Sequence, residues 1–435
     1  MRFYGRVEEL SELKRIKDVS LKESRFTVIT GRRRIGKTSL MLRSVEGTEF
    51  IYIFISRKSE VLLCEEIQSM MEDHGIRVLG KATRFRDLFR ELMLYSIDHP
   101  ITVIIDEFQD IEYVNRSIFS GMQEVWDLNK DAARINLLVS GSVHSMMDRI
   151  FEDSKEPLFG RPTGKIMLNP LPISLMKEIL RDNNPDYSNE DLLVFFMLTG
   201  GVPYYMQLLM DNSMIDKDSM LGYVLRNGSA LLTEGKDLLV SEFGNDYRIF
   251  FSVMQLISSG KERRSEMEDV LGIELGAYLR RLESEYGLIK QIRPAFSEKG
   301  SRNSHWIISD MYLRFYFRFI NPRFGLIESG RADLLLRQTL NELQDYEGRA
   351  LEEYFRRKIA EEDTYTQICS YWNRKGDVKI DIIVLDDVLK TARIIEVKRN
   401  REKMDINVLK AKAESISQPL KGYEVTFNGL SLEDV

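Results

Sequence analysis

Cysteine is scarce in this 435-residue chain: only Cys64 and Cys369 occur, far apart and in no metal-binding spacing. That excludes a disulfide framework and a thiolate zinc site, and fits a reducing, cytoplasmic setting. Histidine is limited to His74, His99, His144 and His305, too scattered for a His-rich zinc site, so any metal must be held by oxygen ligands. No apolar run approaches the roughly 18 to 20 residues that span a bilayer, so no membrane is expected. The opening MRFYGRVEELSELKRI carries early acids and no apolar core, unlike a signal peptide. Positive charge is not in excess either: the formal net charge of −6 excludes a uniformly basic coat for nucleic acid. Residues 245–325 run against that sign, with 13 lysines and arginines facing 10 acids. What is present, 43% hydrophobic and 30% charged residues, describes a soluble globular protein long enough for two or three domains.

Residues 27–40 read TVITGRRRIGKTSL. A β-branched run, then Gly31-x-x-x-x-Gly36-Lys37-Thr38, then helix-forming residues make a P-loop in its required strand-loop-helix setting. The glycines let the backbone curl around an anion, and the following helix offers its positive end to the same phosphates. Nucleotide contacts are therefore expected from Gly31, Arg32, Arg33, Arg34, Ile35, Gly36, Lys37, Thr38 and Ser39. Lys37 would reach the β- and γ-phosphates, and the Thr38 hydroxyl would hold Mg²⁺. Arg32, Arg33 and Arg34 are open to two readings, phosphate or partner contact and plain solvation.

Elsewhere in the first half, Gly5-Arg6 with Glu8 and Glu9 enters an amphipathic helix, either an ordinary first helix or a segment near an adenine. Residues 50–55, FIYIFI, suit a doubly buried strand. Residues 101–107, ITVIIDE, predict a second buried strand that delivers Asp106 to the Mg²⁺ waters, with Glu107 beside it to polarise an attacking water. A strand over 135–139 ends in Ser140-Gly141-Ser142, placing Ser142, with Ser140 as the alternative, to sense the γ-phosphate. Arg161, before a last strand at 165–168, is read either as reaching a nucleotide in its own or a neighbouring subunit, or as a loop arginine paired with a surface acid. Strands alternating with helices imply an α/β parallel sheet with its ligand at the carboxyl ends, over residues 1–171. Residues 172–244, broken by Gly200-Gly201-Val202-Pro203, predict a helical lid.

GRRRIGKTSL, VIIDEFQ, LLVSGS, PLFGR and LTGGVPYYMQLL, in this order over about the first half, resemble the prokaryotic, notably archaeal-type, ATPase family in the STAND branch of AAA+-related P-loop proteins. The resemblance implies ATP rather than GTP and a nucleotide-dependent switch. No Asn-Lys-x-Asp guanine-reading segment is present.

Residues 245–325 predict three helices closed by a β-hairpin, a winged helix, which serves either as a DNA reader or as a protein-contact module. Arg280, Arg281, Arg293 and Arg302 are placed where phosphates could be met. Residues 330–435 read as a separate α/β module. Glu352 lies on a helix, with Glu347 and Glu353 competing for its role; Asp381 lies on one strand, and Glu396 and Lys398 share a face of the next. Asp381 and Glu396 would converge on Mg²⁺ or Mn²⁺, while Lys398 positions water or steadies phosphate charge. This set resembles the PD-(D/E)XK nuclease core, a restriction-endonuclease-like fold. With Gly348-Arg349 and Trp372 it also resembles the domain that follows the ATPase in the same family. The expected function is an ATP-hydrolysing switch coupled to DNA binding and metal-dependent cleavage, with a homo-oligomer among its forms. The alternative is a regulatory scaffold whose nuclease-like module binds DNA or protein without cutting.

Overall fold

The structure is a computed structural model that describes residues 2–243, 247–298, 303–361 and 365–435. It divides into two compact units, Gly5–Asn169 and Pro170–Val435, the latter joined by the residues up to Tyr4.

In the first unit, β1 (Arg25–Thr30), β2 (Phe50–Phe54), β3 (Ile101–Asp106), β4 (Ile135–Gly141) and β5 (Gly164–Met167) form a parallel sheet in the order β2-β3-β4-β1-β5. Strands β3 and β4 are buried along their whole length, which is why their sequences are continuous apolar runs. In the core, Phe26 meets Trp126 and Phe151 edge-on, at centroid distances of 5.2 and 5.7 Å. Burying each such ring contributes about 1.5–3 kcal/mol. Because the strands are parallel, the P-loop, Asp106 and Ser140 all emerge at one end of the sheet. Gly31 is irreplaceable there: at φ +147° an added Cβ would lie 2.8 Å from the Leu168 carbonyl oxygen.

The second unit opens with helices Ile173–Asn183, Asn189–Thr199, Pro203–Asp211, Lys217–Leu225 and Leu231–Phe243. Gly200 and Gly201 take positive φ, and a Cβ on Gly201 would meet the Leu171 carbonyl oxygen at 2.3 Å. Helices Tyr247–Ser258, Arg264–Leu271 and Gly276–Arg280, the last widening into a π-type turn over Arg281–Glu285, are closed by β6 (Ile289–Ile292) and β7 (His305–Ile308). This is the expected winged helix. Helix Ala332–Ala360 runs for 29 residues and leads to a second sheet. Its strands are β8 (Gln367–Trp372), β9 (Lys379–Asp386), β10 (Thr391–Val397) and β11 (Glu424–Leu430), in the order β11-β10-β9-β8. Only the β10–β11 pairing is parallel. Ile380, Ile383, Leu385 and Ile394 pack beneath Leu409 of the helix Ile406–Ala413. No helix among the described residues is long and apolar enough to cross a membrane.

The long helix is tied in by buried charge. Arg357 Nε donates to Glu353 at 3.1 Å, its Nη1 donates to the Gly200 carbonyl at 2.9 Å, and Arg314 stands 3.8 Å from Glu353. Burial pushes the Glu353 carboxyl up, but Arg314, Lys290 and Arg357 outweigh it and hold the group at about 2. A depressed carboxylate stabilises the fold fully above its unfolded value, near 4.5, and loses that contribution as pH falls towards 2. Glu353→Gln is therefore expected to cost about 3 kcal/mol at neutral pH and to flatten the acid limb between those two values. Urea melts of both proteins across that range provide the check.

Candidate functional site

Asp106 is 3% exposed at the carboxyl end of β3, and its carboxylate collects donors from several elements. Thr38 Oγ1 donates to Oδ2 at 2.6 Å and the Tyr52 hydroxyl to the same oxygen at 3.0 Å. Ser140 Oγ and the Glu107 amide, the latter at 2.9 Å, donate to Oδ1. Glu107 sits at φ 53°, a left-handed conformation that turns the chain sharply off the strand. Its Oε2 accepts from Gln109 Nε2 at 2.5 Å and from Ser142 Oγ at 2.9 Å. Lys37 Nζ curls back over the loop and donates to the Gly31 and Arg32 carbonyls at 2.8 and 3.1 Å. Burial draws the Lys37 ammonium down to about 8, against the attraction of Glu107 and Asp106. The hydroxyl, carboxylate and ammonium at this loop supply the donor set that a magnesium-bound triphosphate requires.

In the terminal module, the register that pairs Ile395 with Ile382 brings Glu396 opposite Asp381 at the next step. The Val397 amide donates to Asp381 Oδ2 at 2.9 Å. Lys398 Nζ lies 3.7 Å from Glu396 Oε1, as strand alternation requires, but Lys412 donates to that same oxygen at 3.0 Å. Lys379 Nζ bridges the other acids, at 2.7 and 2.9 Å from the two Glu352 oxygens and 3.1 Å from Asp381 Oδ1. Burial, then the neighbouring Asp381, raises the Glu352 carboxyl. The helix acid facing Asp381 is thus Glu352. Glu353 is held by Arg357, and Glu347 by Arg399 at 2.6 Å. Among the described residues no cluster of three or more His, Cys, Asp or Glu is gathered around a metal position. Lys379 thus stands between Glu352 and Asp381, while Lys398 and Lys412 stand against Glu396.

Residues 3–209 match the family described as an ATPase domain predominantly from Archaea. The chain is an ATPase. Residues 316–414 of this ATPase match a second family, described as archaeal and bacterial proteins of unknown function. An uncharacterized protein of Methanocaldococcus jannaschii is 27% identical over 91% of this chain and 87% of its own. Among solved structures, the Walker-type ATPase of Pyrococcus abyssi is similar with a TM-score of 0.52 and 18% identity, over 73% of this chain and 96% of that one, a likeness of fold. The ORC2 protein of Aeropyrum pernix gives a TM-score of 0.49 and 16% identity, over 78% and 96%.

Other expected site residues of the ATPase fall apart from these clusters. Arg161 precedes β5 at the amino ends of the strands, since Thr163 pairs with Phe26 at the start of β1. Its guanidinium binds Asp127 at 2.9 Å. At about 3.3 Å per residue the length of β1 separates it from its own chain's P-loop, so the reading as a loop arginine paired with an acid holds within one chain. In the winged helix, Arg281 is spent on Glu285 and the Tyr286 hydroxyl, both at 3.2 Å, whereas Arg280 and Arg293 are exposed. Arg302 lies outside the described residues. The wing itself packs on β8: His305 stacks on Trp372 at 4.6 Å, and the Ala295 amide donates to the Ser370 carbonyl at 2.7 Å. Sequence reading missed Tyr52, Gln109, Lys379 and Lys412. Each is one polar residue in an element whose other residues explain it, although Gln109 did stand inside the VIIDEFQ motif.

Replacing Glu107 by Gln is expected to keep ATP binding and slow hydrolysis by about 10²–10⁴-fold, because the variant cannot accept a proton from water. Steady-state phosphate release and fluorescent-nucleotide binding, measured on the same preparation, separate the two effects.

Proposed function

We propose that this ATPase is a nucleotide-driven switch that governs a DNA-directed terminal module. The donor cluster on Asp106 carries the reading. With Mg²⁺ held through Thr38 and, by way of its waters, Asp106, the P-loop residues Gly31 to Ser39 would wrap the phosphates. Lys37 would leave the loop carbonyls for the β- and γ-phosphates, and Glu107 would polarise the attacking water. Ser142 and Ser140, hydrogen-bonded to Glu107 and Asp106, would transmit whether a γ-phosphate is present. Arg161 would serve a nucleotide only across a homo-oligomer interface. We divide the chain into an ATPase core (1–171), a helical lid (172–244), a winged helix (245–325) and a nuclease-like module (330–435).

The DNA contact is assigned to the exposed Arg280 and Arg293. With the wing hydrogen-bonded to β8, the third helix, which carries Arg280, would be the reading element, and Arg293 at the start of the wing would meet the phosphate backbone. In the terminal module, Asp381 and Glu396 have the oxygen chemistry for Mg²⁺ or Mn²⁺, with Glu352 and Lys398 beside them. The second reading, a scaffold that binds without cutting, is favoured by one feature: Lys379 and Lys412 already neutralise those acids. Plasmid incubated with the full chain, ATP and each metal decides between them. Nicking that disappears in Glu396→Ala, with ATP hydrolysis within about twofold of wild type, is expected for the nuclease. Nicking that persists in the variant excludes this site, and intact DNA under every condition supports the scaffold.

A further inference from the structure

A cavity of about 150 Å³ lies where the winged helix meets the long helix Ala332–Ala360. Its wall sets apolar side chains such as Ile257 and Met311 beside three guanidinium groups, Arg314, Arg318 and Arg349. The first two arginines follow β7; the third comes from the long helix. Each has one acid near it: Glu342 is 3.1 Å from Arg318, Glu262 is 3.5 Å from Arg349, and Glu353 is 3.8 Å from Arg314. Two of these separations are long for charge-assisted hydrogen bonds, so donor capacity remains on the cavity side. Two wall residues also hold buried polar atoms with no hydrogen-bond partner, the Tyr346 hydroxyl and Arg314 Nη2. Unmet donors of this kind are rare in folded chains and call for a specific explanation. The wall itself carries three guanidinium groups and two acids, Asp345 and Glu262, while Glu342 and Glu353 stand behind Arg318 and Arg314.

We propose that this cavity binds a small phosphate-bearing anion, either inorganic phosphate or a compact phosphomonoester. Guanidinium forks suit phosphate oxygens in pairs, and a tyrosine hydroxyl adds a single directed donor. The volume is well below the roughly 300 Å³ or more of sites that take drug-sized or nucleotide-sized ligands, so this is not a second ATP site. Because its wall comes from two modules, a bound anion would brace the winged helix against the helix that carries Glu352. The nucleotide-driven switch would then have a second chemical input, independent of the P-loop.

The test is calorimetric titration of the full chain with inorganic phosphate and, separately, with glycerol phosphate. The P-loop is filled beforehand with Mg²⁺ and a non-hydrolysable ATP analogue, so that it cannot take the anion. One equivalent is expected to bind to wild type and to bind about tenfold or more weakly to Tyr346→Phe and to Arg318→Gln. The tighter of the two ligands identifies whether free phosphate or its ester is the natural form. Tyr346→Phe keeps the ring against Phe315 and Phe319, so its fold is retained. Equal affinity in wild type and both variants, or no heat up to about 10 mM, overturns the proposal. Displacement of bound phosphate by a duplex oligonucleotide also overturns it and reassigns the arginines to a nucleic-acid backbone.

Discussion

The carboxylate of Asp106 is the constraint around which the nucleotide-binding unit is built. A buried carboxylate costs several kcal/mol unless its lone pairs are met, and here they are met by side chains and an amide from separate elements. Thr38 brings in the helix after the P-loop, Tyr52 brings in β2, Ser140 brings in β4, and the Glu107 amide closes the turn. The strand order makes this convergence available, because β4 lies between β1 and β3 and presents Ser140 towards both. Displacing one donor leaves the charge partly unmatched, so the loop, three strand ends and the Glu107 turn respond together. That is the physical basis on which a change at the phosphates could be felt elsewhere in the sheet.

In the second unit, order comes from buried charge arranged along one helix. Glu347, 1% exposed, accepts from Arg399 just past β10, and Arg399 also reaches Glu190 at 2.7 Å. Lys217 joins the same group through Glu190 at 3.1 Å. Two turns further along, Glu353 and Arg357 tie the helix to Gly200. Arg399 is the neighbour of Lys398, so the strand end that carries Glu396 and Lys398 is fastened to the helices Asn189–Thr199 and Lys217–Leu225. Glu347 and Glu353 are buried, so removing the partner of either leaves an uncompensated charge, whereas Glu190 with Arg399 and Lys217 is part-exposed and more open to screening by salt. Movement of those helices must therefore be borne by the backbone beside Lys398 and Glu396.

How much of this could be read from residues alone depends on whether burial wrote itself into a continuous pattern. The strands over 101–106 and 135–141 announce themselves because both faces are covered, and the P-loop because phosphate geometry tolerates few residue types. β8 does not, since it is only partly buried and its sequence mixes polar with apolar residues at no clean period, while β11 shows only the short alternation of Val425 and Phe427 with Glu424, Thr426 and Asn428. The helix of Glu352 was legible from Tyr346 onward, but its first turns from Ala332 carry a sparser apolar face. Tyr52 and Lys412 act through partners distant in sequence, and nothing local distinguishes them from solvated residues; Lys379 meets the distant Glu352 as well as Asp381, two residues along its own strand. Arg161 was open to two readings because its place before a strand of a parallel sheet puts it at the amino end, away from its own P-loop, while sequence does not say whether a neighbouring subunit brings a nucleotide to it. The competing acids 347, 352 and 353 were separable only by helix phase against a strand register that sequence does not specify.

The terminal acids show why a motif and its chemistry are separate matters. Glu352, Asp381 and Glu396 are matched by Lys379, Lys398 and Lys412, so the cluster is near neutral before any cation arrives. On the proposed reading a dication must displace Lys379 and Lys412, whose flexible stems and strongly hydrated heads make the move to water inexpensive. A duplex nearby changes the balance further, because backbone phosphates are alternative partners for the same ammonium groups. Phosphate would draw the lysines off the carboxylates while the freed carboxylates gain affinity for the metal, so each ligand would strengthen binding of the other. If no nucleic acid competes, the lysines remain where they are and the same residues make a closed, charge-neutral joint. The distinction between an enzyme and a scaffold thus rests on what can outbid three carboxylates for three lysines.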